Sequence, residues 1–251
     1  MRPIVRAPAL EIGTLYHVAL AYHYAELLAE KPPWYVYSDP WTAVRVCGAD
    51  RPDLATEALR LFDAYVARFP RDADPWRPVL VEHQFWSSAE GRPYSTRIDL
   101  LAWEDGVGYV LSNHKTAARK GSAVNYATDL QVLTEVAQAR AAGYDVRRYY
   151  INECVKSDPP LPHRFEVSVS PAMYARLAQD TGYYLRERDR VIAEFPDPWN
   201  RPRNHGACRG RYRLCDFWGL CWDGLARLNE YVVEEARAAG SARPTLQEET
   251  R

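Results

Sequence analysis

The 251-residue chain has no apolar run approaching the roughly 18 to 20 residues that a membrane-spanning helix needs. Its first residues, Met1-Arg2-Pro3-Ile4, lack the basic-then-apolar layout of a secretory signal, so a cytoplasmic protein is expected. Lysine is scarce: Lys31, Lys115, Lys120 and Lys156 are all there is, and the other basic side chains are arginines. With a formal net charge of −1, the global basic excess of a typical nucleic-acid binder is missing, so any such contact must come from a local patch. The cysteines number five, an odd count, and three of them crowd between Cys208 and Cys221. That pattern argues against a secreted disulfide framework and for thiols or a metal site.

What is present suits a globular protein that can bury a core: 47% of residues are hydrophobic and 26% charged. Helical spacing runs over 11–30, with Leu15, Ala19, Tyr22 and Leu27 along one side and Pro32-Pro33 as the stop. A second helix is expected over 53–69, with Asp53 as N-cap and Pro70 as stop. Strand-like runs follow at 79–86, 96–103 and 107–112, the last two forming a hairpin about Glu104-Asp105-Gly106. Helical spacing returns over 124–142 and ends at Gly143, strands follow at 146–152 and 164–169, and Pro171 opens a long helix to about Glu194. This order predicts an α/β (α+β) fold with a mixed central sheet flanked by helices. The segment 195–222 is rich in Pro, Gly, Cys and Trp, a last helix is expected over 223–239, and the polar end reads as disordered.

The segment from Ser95 to Thr116 carries the chemistry. On a strand, Asp99 is expected on the face opposite Ile98 and Leu100, while Asn113 and Lys115, two apart, share a face. A carboxylate and an ammonium can thus meet. Metal-assisted phosphodiester hydrolysis asks for oxygen ligands to Mg²⁺ or Mn²⁺, a water activated by the ion, and a cation near the developing phosphorane charge. Asp99 and Lys115 would supply two of these. Each residue also has a plainer reading: Asp99 as the solvent side of a strand, Lys115 as a turn cation, His17 as a core histidine. His23, His83, His163 and His205 read as structural.

Taken together, Gly13-Thr-Leu-Tyr-His17, Arg97-Ile98-Asp99, Asn113-His114-Lys115 and Gln131 occur in one order on the expected elements. In this the chain resembles the PD-(D/E)xK nuclease superfamily, and within it the RecB-like branch that includes CRISPR-adaptation nucleases and phage-encoded exonuclease-like proteins. The resemblance covers roughly 9–222. It implies a restriction-endonuclease-like core over 1–195, a Cys-rich extension with a helix over 196–239, and a disordered end over 240–251. By the same resemblance Asp99 and His17 would be metal ligands, Lys115 would orient the attacking water, and Gln131 would position that water or the DNA strand. Asn113 stands where a second acidic ligand belongs, and an amide brings no negative charge to a hard cation. Three explanations are open: an engineered inactivating substitution, a naturally degenerate paralogue, or an acid relocated to Glu82 or Glu135.

The array Cys208-x6-Cys215-x5-Cys221 resembles the C-terminal cluster of that branch, implying a 4Fe-4S cluster or Zn²⁺ with Cys47, Cys154 or His205 as the fourth ligand. Three thiols packed with Phe217, Trp218 and Trp222 are the alternative. The expected activity is a Mg²⁺- or Mn²⁺-dependent deoxyribonuclease, exonuclease-like and of phage or mobile-element type, acting on DNA. DNA would lie along the sheet edge holding Asp99 and Lys115, with Arg119, Arg147 and Arg148 on its phosphates. The competing expectation is a DNA-binding or assembly protein that keeps the fold and has lost the acid.

Overall fold

The computed structural model describes residues 2–3, 7–89, 91–127, 129–168, 170–197, 200–202 and 231–232. They fall into two compact units. In the smaller, β1 (Arg2–Pro3) pairs antiparallel with β7 (Tyr231–Val232). Those two strand residues interrupt the helix expected over 223–239, the rest of which lies outside the described residues, as do Cys208, Cys215, Cys221 and His205.

The larger unit spans Ala9–Gly182. Its centre is a five-stranded sheet in the order β2 (Trp76–Ala89), β3 (Arg92–Glu104), β4 (Gly108–Ala117), β5 (Val146–Val155), β6 (Leu161–Glu166). The one parallel pair, β4 with β5, is joined by a crossover through α4 (Ala123–Tyr126) and α5 (Leu130–Ala141); the other pairs are antiparallel. The fold is therefore the expected mixed sheet flanked by helices. Strand β4 runs five residues beyond the predicted end at 112, which makes Asn113 and Lys115 strand residues.

Helices α1 (Pro8–Ala25), α2 (Pro40–Cys47) and α3 (Pro52–Arg68) cover one face, packing with Val81, Leu100, Ala102 and Val110. Helix α5 covers the other with Val132, Val136 and Ala139 against Leu101, Leu111 and Ile151. Helix α1 is walled in on all sides: every residue from 15 to 25 is buried except His17. It therefore has no polar stripe to show. Helix α2 escaped sequence reading because it is short; Asp39 starts it by accepting the Thr42 N–H at 2.8 Å. Helix α3 begins one residue earlier than expected: Arg51 is the N-cap, Pro52 occupies the first turn, and Asp53 lies inside it. Helix α6 (Pro171–Glu194) has the expected bounds.

Candidate metal centre

Two strands and one helix bring three ligand-type groups together. Atoms of His17, Glu82 and Asp99 lie within 4.8 Å of one another, with His17 Nδ1 3.6 Å from Asp99 Oδ2. The pairing of Val81 with Leu100 and of His83 with Ile98 puts Glu82 opposite Asp99 on neighbouring strands. Cross-strand neighbours have Cβ atoms about 4.5–5.5 Å apart, so two carboxylates here share one site.

The local backbone explains how α1 reaches them. Leu101 and Ile98 both pack in the α5-side core, yet they are three residues apart, and Leu100 packs on the α1 side. Regular alternation forbids this. The break falls at Glu82, whose φ of 49° is left-handed, and at Asp99 opposite it. The expectation that Ile98 and Leu100 share a face is corrected here. An L-residue at positive φ costs on the order of 1–3 kcal/mol, a strain the surroundings must hold.

At the same level β3 and β4 part. Their ladder ends at Leu100–Ser112, and the Asp99 carboxylate accepts the His114 backbone N–H at 2.6 Å. On the α1 side His114 stacks on Tyr24, and its Nδ1 is 3.2 Å from Asn152 Nδ2. A donating amide there makes Nδ1 the acceptor. Burial pushes the His114 imidazole down to about 3, so it is neutral. On the α5 side Asn113 and Lys115 do share a face. Lys115 Nζ donates to Gln131 Oε1 at 3.0 Å, and Gln131 Nε2 donates to Glu135 Oε1 at 2.8 Å. Asn113 Nδ2 donates to the same Oε1 at 3.2 Å, and the Tyr149 hydroxyl donates to Oε2 at 2.6 Å.

Electrostatics separate the carboxyl groups. Burial, then the charge of Asp99, raises the Glu82 pKa, against the pull of Arg97, whose Nε is 3.2 Å away, and of His17. Burial opposes the charge of Asp99 too, but His17 and the His114 N–H outweigh it, and Asp99 is held below the usual carboxylate range. For His17, burial is outweighed by Asp99 and the imidazole pKa is raised. Burial and then Asp99 lift Glu135 to about 8, although three donors converge on it.

The donor set fits a divalent cation. Two ligands each about 2.0–2.2 Å from one ion are at most about 4.4 Å apart, so a small closure brings all three atoms onto it. Two carboxylates and an imidazole suit Mn²⁺ or Mg²⁺. Beside them the Asn113 Oδ1 is buried with no hydrogen-bond partner, an acceptor oxygen left over on the strand next to Asp99.

Asp99 and Lys115 stand on interior strands, where β3 and β4 part, and not on the sheet's edge. Arg119 is exposed just past β4. Arg147 and Arg148 are elsewhere: β5 pairs Arg148 with Val110 and Glu153 with Lys115, so they lie at the far end of the sheet, bound to Asp145 and Glu166. Cys154 is buried with its thiol 3.9 Å from the Leu61 carbonyl, and Cys47 ends α2. Sequence reading missed Tyr149 and His114. Neither carries a motif signal, since one acts by its hydroxyl from a neighbouring strand and the other by its backbone.

No helix among the described residues is long and apolar enough to cross a membrane. No protein-family model matches the chain, and no curated protein matches it. Solved structures do. The crystal structure of a "putative exonuclease" from Eubacterium rectale is 11% identical, over 93% of this chain and 78% of that one, at a TM-score of 0.50. The structure of SSO0001 is 17% identical, over 84% of this chain and 96% of its own, at a TM-score of 0.37. At 11% identity what is common is the architecture, and the chain shares the fold of the Eubacterium rectale protein.

Proposed function

We propose that the protein is a divalent-metal-dependent DNA nuclease whose second acid is Glu82 in place of the residue at 113. The observation that carries this is the approach of Glu82, Asp99 and His17 within 4.8 Å at the fork of β3 and β4. The fold shared with a protein named as an exonuclease supports it.

In this reading His17, Glu82 and Asp99 hold Mg²⁺ or Mn²⁺, which when bound supplies Lewis acidity and lowers the pKa of water. Asp99 is kept ionised by His17 and the His114 N–H, ready to ligate without losing a proton. Glu82, with its raised pKa, gives up a proton when the cation arrives. Lys115, steered by Gln131, presents its ammonium to the attacking water and to the phosphate oxygens that gain charge. Arg119 is the nearest of the proposed phosphate contacts. Asn113 holds Glu135 and adds no charge.

Asn113 itself favours a second reading, a DNA-binding protein that keeps the fold without catalysis. Cleavage of linear DNA with Mn²⁺ by the chain and by Glu82→Gln tests the choice. Cutting by the former and not the latter is expected; cutting by both would remove Glu82 from the mechanism, and cutting by neither would favour the second reading.

A further inference from the structure

Beyond the Glu82–Asp99 level the sheet forks: β2 and β3 run on as one arm, while β4, β5 and β6 stay paired in the other. Strand β3 pairs with β4 between Leu100 and Glu104, whereas β2 and β3 stay paired out to Ala89–Arg92. The β2–β3 arm has unlike faces. Phe85 and Ile98 pack inward in the α5-side core. Gln84, Trp86, Ser95 and Arg97 take the other face, as the 2.8 Å bond from Gln84 Nε2 to Ser95 Oγ and the 3.2 Å contact from Arg97 Nε to Glu82 show. The break at Glu82 thus turns this row of side chains toward the side from which His17 reaches the carboxylates.

Trp86 opens 58% of its surface to solvent. Its neighbours on that face, Gln84, Ser88, Pro93, Ser95 and Arg97, include one small apolar ring, that of Pro93, and no acid, and the one charge is positive. A protein partner would find no apolar set to bury. A nucleobase needs less: one flat aromatic surface, hydrogen-bonding groups at its edge, and a cation for the backbone. Four residues of strand separate Trp86 from Glu82, about 13 Å. Stacked nucleotides cover that distance in about four steps of about 3.4 Å.

We propose that the outer face of the β2–β3 arm is a track for a single polynucleotide strand, with an unpaired base stacked on Trp86 and its backbone led past Arg97 to the metal centre. The track rests on the nuclease reading and narrows it, since a base inside an intact duplex offers no free face to stack.

The test is binding of a fluorescent 20-nucleotide oligothymidine by anisotropy in EDTA, for the full chain and for Trp86→Ala and Trp86→Phe. A blunt duplex of the same length is the control. Because Trp86 is exposed, both variants should keep the parent's melting temperature. Trp86→Ala should raise the single-strand Kd roughly 5- to 100-fold, Trp86→Phe should retain most of the affinity, and duplex binding should change less than about twofold. Equal single-strand affinity in parent and Trp86→Ala, with cleavage intact in both, would overturn the track and leave the nuclease reading standing. A parent that neither binds nor cuts DNA would overturn both. If sedimentation showed a parent dimer that Trp86→Ala splits, the arm would be a contact with a second copy and the track would be wrong.

Discussion

Replacing Asn113 by Asp restores the acid that the sequence pattern leads one to expect, and the structure gives that change a measurable cost. Asn113 Nδ2 stands 3.2 Å from Glu135 Oε1, both side chains being buried. An ionised Asp there would put a carboxylate oxygen where an N–H now donates. Two unit charges at that distance repel by about 5 kcal/mol at an effective dielectric constant of about 20. The pair therefore holds one proton between them at neutral pH and loses it only as pH rises. In EDTA, Asn113→Asp should melt below the parent by a gap that opens as pH rises above about 8, where Glu135 of the parent gives up its proton, and closes toward pH 5. At about 2–4 °C per kcal/mol for a chain of this size, the full repulsion corresponds to about 10–20 °C, a ceiling reached only at a pH high enough to strip the shared proton. Adding Mn²⁺ should recover more of the melting temperature in the variant than in the parent, because the added charge sits beside the cation. Calorimetry or circular dichroism across pH, with and without Mn²⁺, measures this. If Asn113→Asp melts with the parent all the way from about pH 8 to about pH 10 in EDTA, residue 113 does not face Glu135 and the geometry of the centre is wrong.

Three further outcomes follow from the same structure. Glu135, lifted to about 8, binds its proton more tightly folded than unfolded, so stability is fullest below about pH 4.5 and declines as pH rises toward 8; Glu135→Gln should flatten that slope in a metal-free melt. Arg164 makes a bidentate pair with Asp74, with bonds of 2.7 and 2.9 Å, between the rings of Phe69 and Trp76. Removing one partner of such a buried pair costs about 3–5 kcal/mol, so Asp74→Ala should lower the urea midpoint strongly. Lys115→Ala should leave Mn²⁺ affinity within a few-fold by titration calorimetry while lowering the cleavage rate by about 10²-fold or more, since the ammonium serves the water and the phosphate and not the ion.

Much of the fold was legible. The spacing of Leu15, Ala19 and Tyr22, the turn at Glu104-Asp105-Gly106, and Pro171 each mark an element that the structure contains. What stayed hidden had local causes. Helix α2 is two turns long, too short for periodicity to register, and β4 continues through polar Asn113, His114 and Lys115, whose strand conformation comes from pairing with β5. At the site, the pattern singled out His17, Asp99, Asn113, Lys115 and Gln131, and Glu82 and Glu135 as alternatives, yet could not rank those two acids. What sets Glu82 beside Asp99 and His17 is a left-handed backbone, at a residue type that gives no hint of positive φ. Arg147 and Arg148 drew notice as a basic pair, but the direction of the crossover that carries them to the far end of the sheet is invisible in a linear string.

The central claim, that His17, Glu82 and Asp99 form a divalent-metal centre, is tested most directly by titrating Mn²⁺ into the metal-free chain, by calorimetry or by electron paramagnetic resonance, alongside Asp99→Ala. The account predicts one ion bound per chain, with proton release near neutral pH from Glu82, and loss of that binding in Asp99→Ala. Failure of the parent to bind Mn²⁺, or equal binding by Asp99→Ala, would contradict it.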